Sequence, residues 1–178
     1  ADMNYRGNLW SPEEAQATMI PMMKYVDVSI GNEEDADKCL GVAAEGVDVT
    51  TGEIDAEAYR PVVQQLVGKF GFKKVAITLR ESESADDNNW SAIYFDGDEI
   101  LLGNRYPVRI VDRVGGGDAF CAGMIYGLNQ DGWSSRQVLD FAVASSAMAH
   151  TIHGDFNLVT VKEVMAVAGG DVTGRVQR

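Results

Sequence analysis

The sequence predicts an α/β fold in which helices flank both faces of a mostly parallel sheet. Short apolar runs alternate along the 178 residues with longer segments that carry helix caps. Alternation of strand and helix is typical of parallel sheets, because a crossover helix joins each strand to the next. No repeat, low-complexity tract or linker interrupts the pattern, so one domain or part of one is expected.

The first elements are predicted from a helix cap and one apolar run. Ser11 and Glu14 match a capping box, which predicts a helix that ends near Tyr25. The apolar residues 26–30 predict a short buried strand, and residues 33–40 predict the second helix.

The middle of the chain predicts a central strand. Residues 42–54 are expected to form a loop, and residues 55–70 a helix that ends near Gly71. Residues 74–79 are rich in aliphatic and β-branched side chains and predict the strand. The polar residues 81–89 are expected to be exposed.

The remaining elements are a hairpin, a strand and three helices. Residues 90–95 and 99–102 flank Asp96-Gly97, a pair typical of hairpin turns. Residues 107–111 predict another short strand. Helices are expected at 118–129, 134–150 and 160–168, with a loosely held tail from Gly169 onwards.

Composition excludes several classes of function. The 27 acidic and 15 basic residues give a net charge of −12, which disfavours nucleic acid as a partner. No apolar stretch approaches the roughly 20 residues that a membrane span needs, so no membrane is expected. Cys39 and Cys121 are far apart and predict buried thiols in a reducing compartment, hence a cytoplasmic protein.

Three glycines and an aspartate stand where a predicted strand gives way to a helix. Gly115, Gly116 and Gly117 let a ligand approach the backbone closely, and the following helix start offers N–H groups to an anion. Asp118, at the mouth of the same turn, could accept a proton from a substrate hydroxyl. The residues alone allow a second interpretation, in which Asp118 caps an ordinary helix.

Residues 112–120, Asp-Arg-Val-Gly-Gly-Gly-Asp-Ala-Phe, resemble the second signature of the PfkB-type, ribokinase-like carbohydrate kinases, Asp-Thr-x-Gly-Ala-Gly-Asp-x-Phe. Arg113 stands at the usual Thr, and Gly116 at the usual Ala. The resemblance implies that Asp118 is the catalytic base. It implies that Gly115, Gly116 and Gly117 form the anion hole, that Gly115 and Gly117 also contact nucleotide, and that Asp112 lies near a monovalent-cation (K⁺) site.

A second motif concerns magnesium. Residues 32–35 are similar to the family's Asn-x-x-Glu motif, with Asp35 in place of Glu. The resemblance implies that Asn32 and Asp35, with Glu34 sharing the task, place Mg²⁺ indirectly, and Mg²⁺ prefers such oxygen ligands. The alternative is an Asn N-cap followed by acidic residues in the first helical turn.

The N-terminal residues resemble the Asp-x-Asn-x-Arg-x-x-Leu-Trp segment of one group in this family, the 2-keto-3-deoxygluconate kinases. The resemblance implies that Arg6 contacts the substrate carboxylate and that Asn4 shapes the same site. An arginine can hold a carboxylate with two parallel hydrogen bonds, which a neutral sugar does not allow. The alternative is a pair of surface residues at a frayed terminus.

One weaker similarity and two histidines complete the set. Thr78 and Arg80 follow the central strand where the family often has Thr-Leu-Gly near the nucleotide, so both are predicted nucleotide contacts. His150 and His153 have no metal-ligand spacing and are interpreted as ordinary polar residues.

The expected activity is ATP- and Mg²⁺-dependent phosphorylation of 2-keto-3-deoxygluconate to its 6-phosphate. A kinase for a neutral sugar or nucleoside and a non-catalytic nucleotide-binding fragment are the alternatives. The resemblance covers residues 1–178 as a C-terminal nucleotide-binding and catalytic portion, so the N-terminal sugar-binding and lid portion is expected to be absent and this chain alone weak or inactive. The sequence leaves open whether the full-length protein is a homo-oligomer.

Overall fold

The computed structural model describes residues 1–43 and 56–170. Most of the predicted loop at 42–54 and most of the predicted tail lie outside the described residues. The chain divides into two compact units, of which the first comprises Ala1–Glu81 and Ala92–Leu102. The second comprises Ser82–Ser91 and Gly103–Arg178.

Helices and strands follow the predicted order. Within the described residues the strands are β1 (Val28–Gly31), β2 (Lys74–Ser82), β3 (Asp87–Phe95), β4 (Ile100–Leu102) and β5 (Tyr106–Arg109). The α-helices in the same residues are α1 (Pro12–Met19), α2 (Glu33–Leu40), α3 (Arg60–Phe70), α4 (Gly116–Leu128), α5 (Ser135–Ala149) and α6 (Val161–Ala168). None of these helices is long and apolar enough to cross a membrane.

The α/β fold class is confirmed, but the sheet is mixed. Its strand order is β1-β2-β3-β4, with β5 pairing to β3. β1 and β2 run parallel, whereas β3 is antiparallel to both β4 and β5. The short connection at Asp96-Gly97 explains the antiparallel pairing of β3 with β4, because a tight turn can join only antiparallel neighbours.

Helix caps predict helix starts better than helix ends. The Ser11–Glu14 capping box is present, but α1 ends at Met19 and a 3₁₀ helix, Ile20–Tyr25, takes over. Pro21 explains this change, because its ring removes a backbone donor and clashes with the preceding turn of an α-helix. Residues 56–59, predicted as α-helix, are likewise 3₁₀.

The prediction that residues 81–89 are exposed is wrong at their C-terminal end. Asn88 and Asn89 are buried in β3. Ser82 Oγ donates a hydrogen bond to Asn88 Oδ1 at 2.8 Å, and Asn89 Nδ2 donates to Glu83 Oε1 at 2.6 Å. Each asparagine thus has one partner at or just after the end of β2, which offsets part of the cost of its burial, whereas Asn88 Nδ2 has no hydrogen-bond partner among the described residues.

The core of the first unit lies between α2, α3 and the sheet, and includes Leu40, Leu66 and Leu79. Tyr59 is almost fully buried at its edge, and its hydroxyl donates to Glu33 Oε1 at 2.8 Å. Burial, followed by this hydrogen bond to a carboxylate, raises the pKa of Tyr59 far above its ordinary value.

The N-terminal residues extend this sheet by one bridge. Asp2 pairs parallel with Ile30 of β1. Met3 N–H donates to Ile30 O at 3.0 Å, and Ile30 N–H donates to Ala1 O at 2.8 Å. The pairing of the N-terminal residues with β1 is therefore limited to a single bridge, which ends before Asn4, where φ is positive.

Candidate active site

The glycine turn lies in the second unit, between β5 and α4. Gly115 has φ +82° and is the N-cap of α4, whose first residue is Gly116. Asp118 therefore lies inside the first helical turn and is not the cap. The predicted helix start at residue 118 is two residues late, because glycine at 115–117 weakens the sequence signal for helix.

The open side of this turn carries backbone donors and one carboxylate. The first intrahelical bond runs from Ala119 N–H to Gly115 O at 2.8 Å, and no side chain caps the helix. The N–H groups of residues 116–118 thus have no acceptor in a preceding helical turn. Gly117 and Asp118 are exposed, and a Cβ built on Gly117 would meet no heavy atom of the described residues within 4 Å. The turn can therefore receive an anion beside a carboxylate.

The closed side of the turn explains two of the glycines. A Cβ on Gly115 would overlap the carbonyl group of Asp155, and its positive φ also favours glycine. A Cβ on Gly116 would overlap the imidazole of His150. Gly115 and Gly116 therefore allow the residues after α5 to pack directly against the turn.

Asp112 joins the start of the turn to the loop after α5. Its Oδ1 accepts from Val114 N–H at 3.0 Å, and its Oδ2 accepts from Gly154 N–H at 3.0 Å. These backbone hydrogen bonds lower the pKa of Asp112 below its ordinary value, so the carboxylate is charged at neutral pH. The neighbouring Arg113 donates to Ala85 O through Nη2.

The predicted magnesium motif lies in the first unit, where Asn32 caps α2. Asn32 Oδ1 accepts from Asp35 N–H at 2.9 Å, and Asp35 Oδ2 accepts from Asn32 N–H at 2.9 Å. Asp35 is buried and its Oδ1 accepts from Tyr5 N–H at 2.7 Å, whereas Glu34 is exposed. The structure thus shows the capping role that the residues allow, and the magnesium role stays a prediction. The described residues contain no cluster of three or more metal-ligating side chains.

Asn4 and Arg6 flank the residue that Asp35 holds. Asn4 has φ +42°, a left-handed conformation that non-glycine residues adopt at a cost of order 1 kcal/mol. Both side chains are exposed, and Arg6 Nη1 donates to Tyr5 O at 2.9 Å. Met3 and Tyr5 anchor the backbone on either side through the bonds to Ile30 and Asp35, so Asn4 and Arg6 project from a fixed segment.

Thr78 and Arg80 alternate with buried residues along β2 and therefore share one face of the strand. Thr78 Oγ1 donates to Gly31 O at 3.5 Å, next to the Asn32 cap. Arg80 is exposed. The first unit thus brings Asp35 next to Tyr5 and Thr78 next to Gly31, while Asp112 and the residues 115–118 share one turn of the second unit.

Known proteins similar to this chain are carbohydrate kinases. A 2-dehydro-3-deoxygalactonokinase of Haloferax volcanii is 30% identical over 171 residues, which are 96% of this chain and 47% of that protein. A 5-dehydro-2-deoxygluconokinase of Clostridium botulinum is 28% identical and is matched over 92% of this chain and 43% of its own length.

The crystal structure of a 2-dehydro-3-deoxygluconokinase from Thermotoga maritima aligns with a TM-score of 0.87 and 46% identity. The alignment covers 95% of this chain and 49% of that one, so the chain spans about half the length of these relatives. The family model described as "pfkB family carbohydrate kinase" matches residues 1–160. The chain therefore belongs to the pfkB family of carbohydrate kinases.

Proposed function

We propose that the protein that contains this chain transfers the γ-phosphoryl group of ATP to the 6-hydroxyl of 2-keto-3-deoxygluconate. The single observation that carries the proposal is the turn at residues 115–118, which is exposed at Gly117 and Asp118 and combines backbone N–H donors with the carboxylate of Asp118. Phosphoryl transfer is catalysed largely by positioning and by stabilisation of charge on the transferred group, and such a turn offers both.

In the proposed reaction, Asp118 accepts the proton of the sugar hydroxyl. The hydroxyl oxygen then forms a bond to the γ-phosphorus, the bond from that phosphorus to the β,γ-bridging oxygen breaks, and ADP leaves with the electron pair. The N–H groups at residues 115–118 donate to the oxygens of the transferred group. Gly115 and Gly117 thereby also contact the nucleotide.

Magnesium and potassium are proposed as cofactors. Mg²⁺, when bound, would supply neutralisation of the phosphate charge. Glu34 is the exposed carboxylate of the predicted motif, whereas both oxygens of Asp35 already accept backbone N–H groups, so Glu34 is the better candidate to orient a hydrated ion. Asp112, charged and placed between two loops, is the candidate neighbour of K⁺.

Specificity for a sugar acid is assigned to Arg6, and Asn4 shapes the same site. Thr78 and Arg80 are proposed to contact the nucleotide. The exposed guanidinium of Arg6 on its anchored segment fits a carboxylate. The similar proteins described above are named for the phosphorylation of deoxy sugar acids, which supports the same class for this one.

The proposal is tested with the protein expressed from its complete reading frame. ATP-dependent phosphorylation is measured with 2-keto-3-deoxygluconate, its galacto epimer, ribose, fructose and a nucleoside. Turnover with a keto-deoxy acid and a loss of at least about 10²-fold in Asp118→Asn are expected. Near-normal turnover in Asp118→Asn would contradict the mechanism, and preference for a neutral sugar would contradict the substrate class.

This chain by itself is proposed to bind nucleotide weakly and to turn over little or no sugar, because it spans about half the length of its relatives. Calorimetric titration of the chain with ATP and ADP, alongside turnover of the complete protein, tests this. Full turnover by the chain alone would contradict it. Nucleotide binding with no turnover in the complete protein would instead favour a non-catalytic nucleotide-binding module.

A further inference from the structure

We infer that Ser146, in the last turn of α5, and His150, the C-cap of that helix, are positioning residues that hold the peptide groups of the glycine turn in their anion-binding orientation. The inference rests on the proposed function, because it concerns the same turn. Both side chains lie on the closed side of the turn, away from the open side at Gly117, and both belong to the second unit.

Ser146 fixes one peptide plane of the turn. Its side chain is completely buried, and Oγ donates to Gly116 O at 2.7 Å. The carbonyl of Gly116 and the N–H of Gly117 belong to the same planar peptide group. A hydrogen bond that anchors the carbonyl therefore also sets the direction in which the Gly117 N–H points, and that N–H is one of the proposed donors to the phosphoryl group.

His150 supports both ends of the turn. Its backbone carbonyl accepts from Val111 N–H at 2.8 Å and from Asp112 N–H at 3.3 Å, where the turn begins. Its imidazole packs against Gly116, where α4 begins, closely enough that a Cβ there would overlap the ring. One residue therefore contacts both ends of the turn.

The imidazole of His150 is itself held in place from two directions. Its Nδ1 lies 2.7 Å from Ser146 O, so an Nδ1–H donates to that carbonyl. Its ring centroid lies 4.6 Å from that of Trp90, at the start of β3. Since Ser146 contacts both Gly116 and His150, the two residues form one connected support behind the turn.

Loss of this support is expected to lower the rate of the chemical step, an effect that a loss of stability alone would not produce. A donor displaced by about 1 Å from the position that a transition state requires can cost about 10²-fold in rate. Loss of the Ser146 hydroxyl leaves the fold and the exposed substrate-facing groups in place but removes one of the constraints on the Gly116–Gly117 peptide, which then depends more on the backbone of α4 for its orientation. The expected effect is on kcat more than on KM, because the misplaced donor acts on charge that develops in the transition state.

Ser146→Ala in the complete protein is the test, and Ser145→Ala is its matched control. Ser145 is the neighbouring buried residue of α5, and its hydroxyl accepts from Asn157 Nδ2 at 3.1 Å without contacting Gly116. We expect kcat to fall about tenfold in Ser146→Ala, with KM for the sugar acid within about twofold of the unsubstituted value. Ser145→Ala is expected to retain kcat within about twofold while losing a similar amount of stability.

His150→Asn is the second variant, because it keeps a nitrogen donor near Ser146 O and removes the ring atoms that face Gly116. A folded His150→Asn protein is expected to show the same fall in kcat with little change in KM. The inference is overturned if either variant folds, as judged by its unfolding temperature, and retains the kcat of Ser145→Ala. Absence of turnover in the unsubstituted protein would overturn the proposed function itself, which separates the two failures.

Discussion

The buried carboxylate of Asp35 accepts a hydrogen bond from the backbone N–H of Tyr5 at 2.7 Å. This bond ties the N-terminal segment to the start of α2, where the other oxygen of Asp35 accepts from Asn32 N–H. Asn4 and Arg6, on either side of Tyr5, are thereby fixed relative to the Asn32 cap. Asp35 is predicted from the sequence to place a metal ion, but each of its side-chain oxygens accepts a backbone hydrogen bond that stabilises the fold.

Asp35→Asn is expected to lower the free energy of unfolding by about 1–3 kcal/mol, because an amide NH₂ would replace one of two acceptors that face backbone donors. Urea unfolding measures the change. Glu34→Gln, at the exposed neighbouring position, is the control and is expected to change stability by less than about 0.5 kcal/mol. Unchanged stability in Asp35→Asn, together with a higher Mg²⁺ requirement for turnover, would instead favour the predicted magnesium role.

Arg6→Ala in the complete protein is expected to lower kcat/KM for the sugar acid by roughly 10- to 100-fold, which is the usual value of a hydrogen-bonded charge pair. Stability should be nearly unchanged because the Arg6 side chain is exposed. Arg6→Lys keeps the charge but loses the two parallel hydrogen bonds. Its kcat/KM for the sugar acid is expected to lie between those of the unsubstituted protein and Arg6→Ala. If Arg6→Ala and the unsubstituted protein show the same ratio of kcat/KM for the sugar acid to kcat/KM for a neutral sugar, the assignment of Arg6 to the substrate carboxylate is contradicted.

Gly116→Ala is expected to be destabilised by about 1–3 kcal/mol, because its Cβ would overlap the His150 imidazole and the packed turn must shift. Gly117→Ala is the matched control in the same helical turn, since a Cβ there enters open space within the described residues. It should be neutral or slightly stabilising, because alanine favours a helix more than glycine does.

The Gly116 prediction includes a coupling measured by a double-mutant cycle. Removal of the ring in His150→Ala should reduce the cost of Gly116→Ala, because the overlapping atoms are gone. Additive effects of the two substitutions on the free energy of unfolding would show that the alanine clashes elsewhere.

Stability is expected to fall in acid partly through Asp112. The hydrogen bonds from Val114 and Gly154 lower the pKa of Asp112 below its ordinary value of 3.8. Its contribution is therefore fully present above that value and is lost as the pH falls through the lower pKa of the folded protein. Asp112→Asn should lose this part of the pH dependence, whereas Asp131→Asn, at an exposed position, should retain it. Identical acid-unfolding curves for the unsubstituted protein and Asp112→Asn would contradict the prediction.

The sequence by itself determined the features that depend on neighbouring residues. Capping boxes at Ser11, Ser134 and Thr160 are visible as residue pairs three positions apart, and each helix begins there. The α/β class follows from the alternation of apolar runs with these helices. The glycine turn and Asp118 are contiguous in the chain, so the candidate anion site could be found from sequence and from its resemblance to the pfkB signature.

Only the tertiary structure decided the features that depend on residues far apart in the chain. The buried Asn88 and Asn89 each have one hydrogen-bonding partner, Ser82 and Glu83, six positions earlier in the chain. Asp35 has a structural role because the N–H of Tyr5, 30 positions away, lies beside it. The support of Gly116 by Ser146, 30 positions away, has no periodic or compositional signal. Helix caps and amphipathic patterns reflect local energetic preferences. The hydrogen-bond partner of a buried polar group depends instead on how distant segments pack, and the same packing places Ser146 and His150 against the glycine turn.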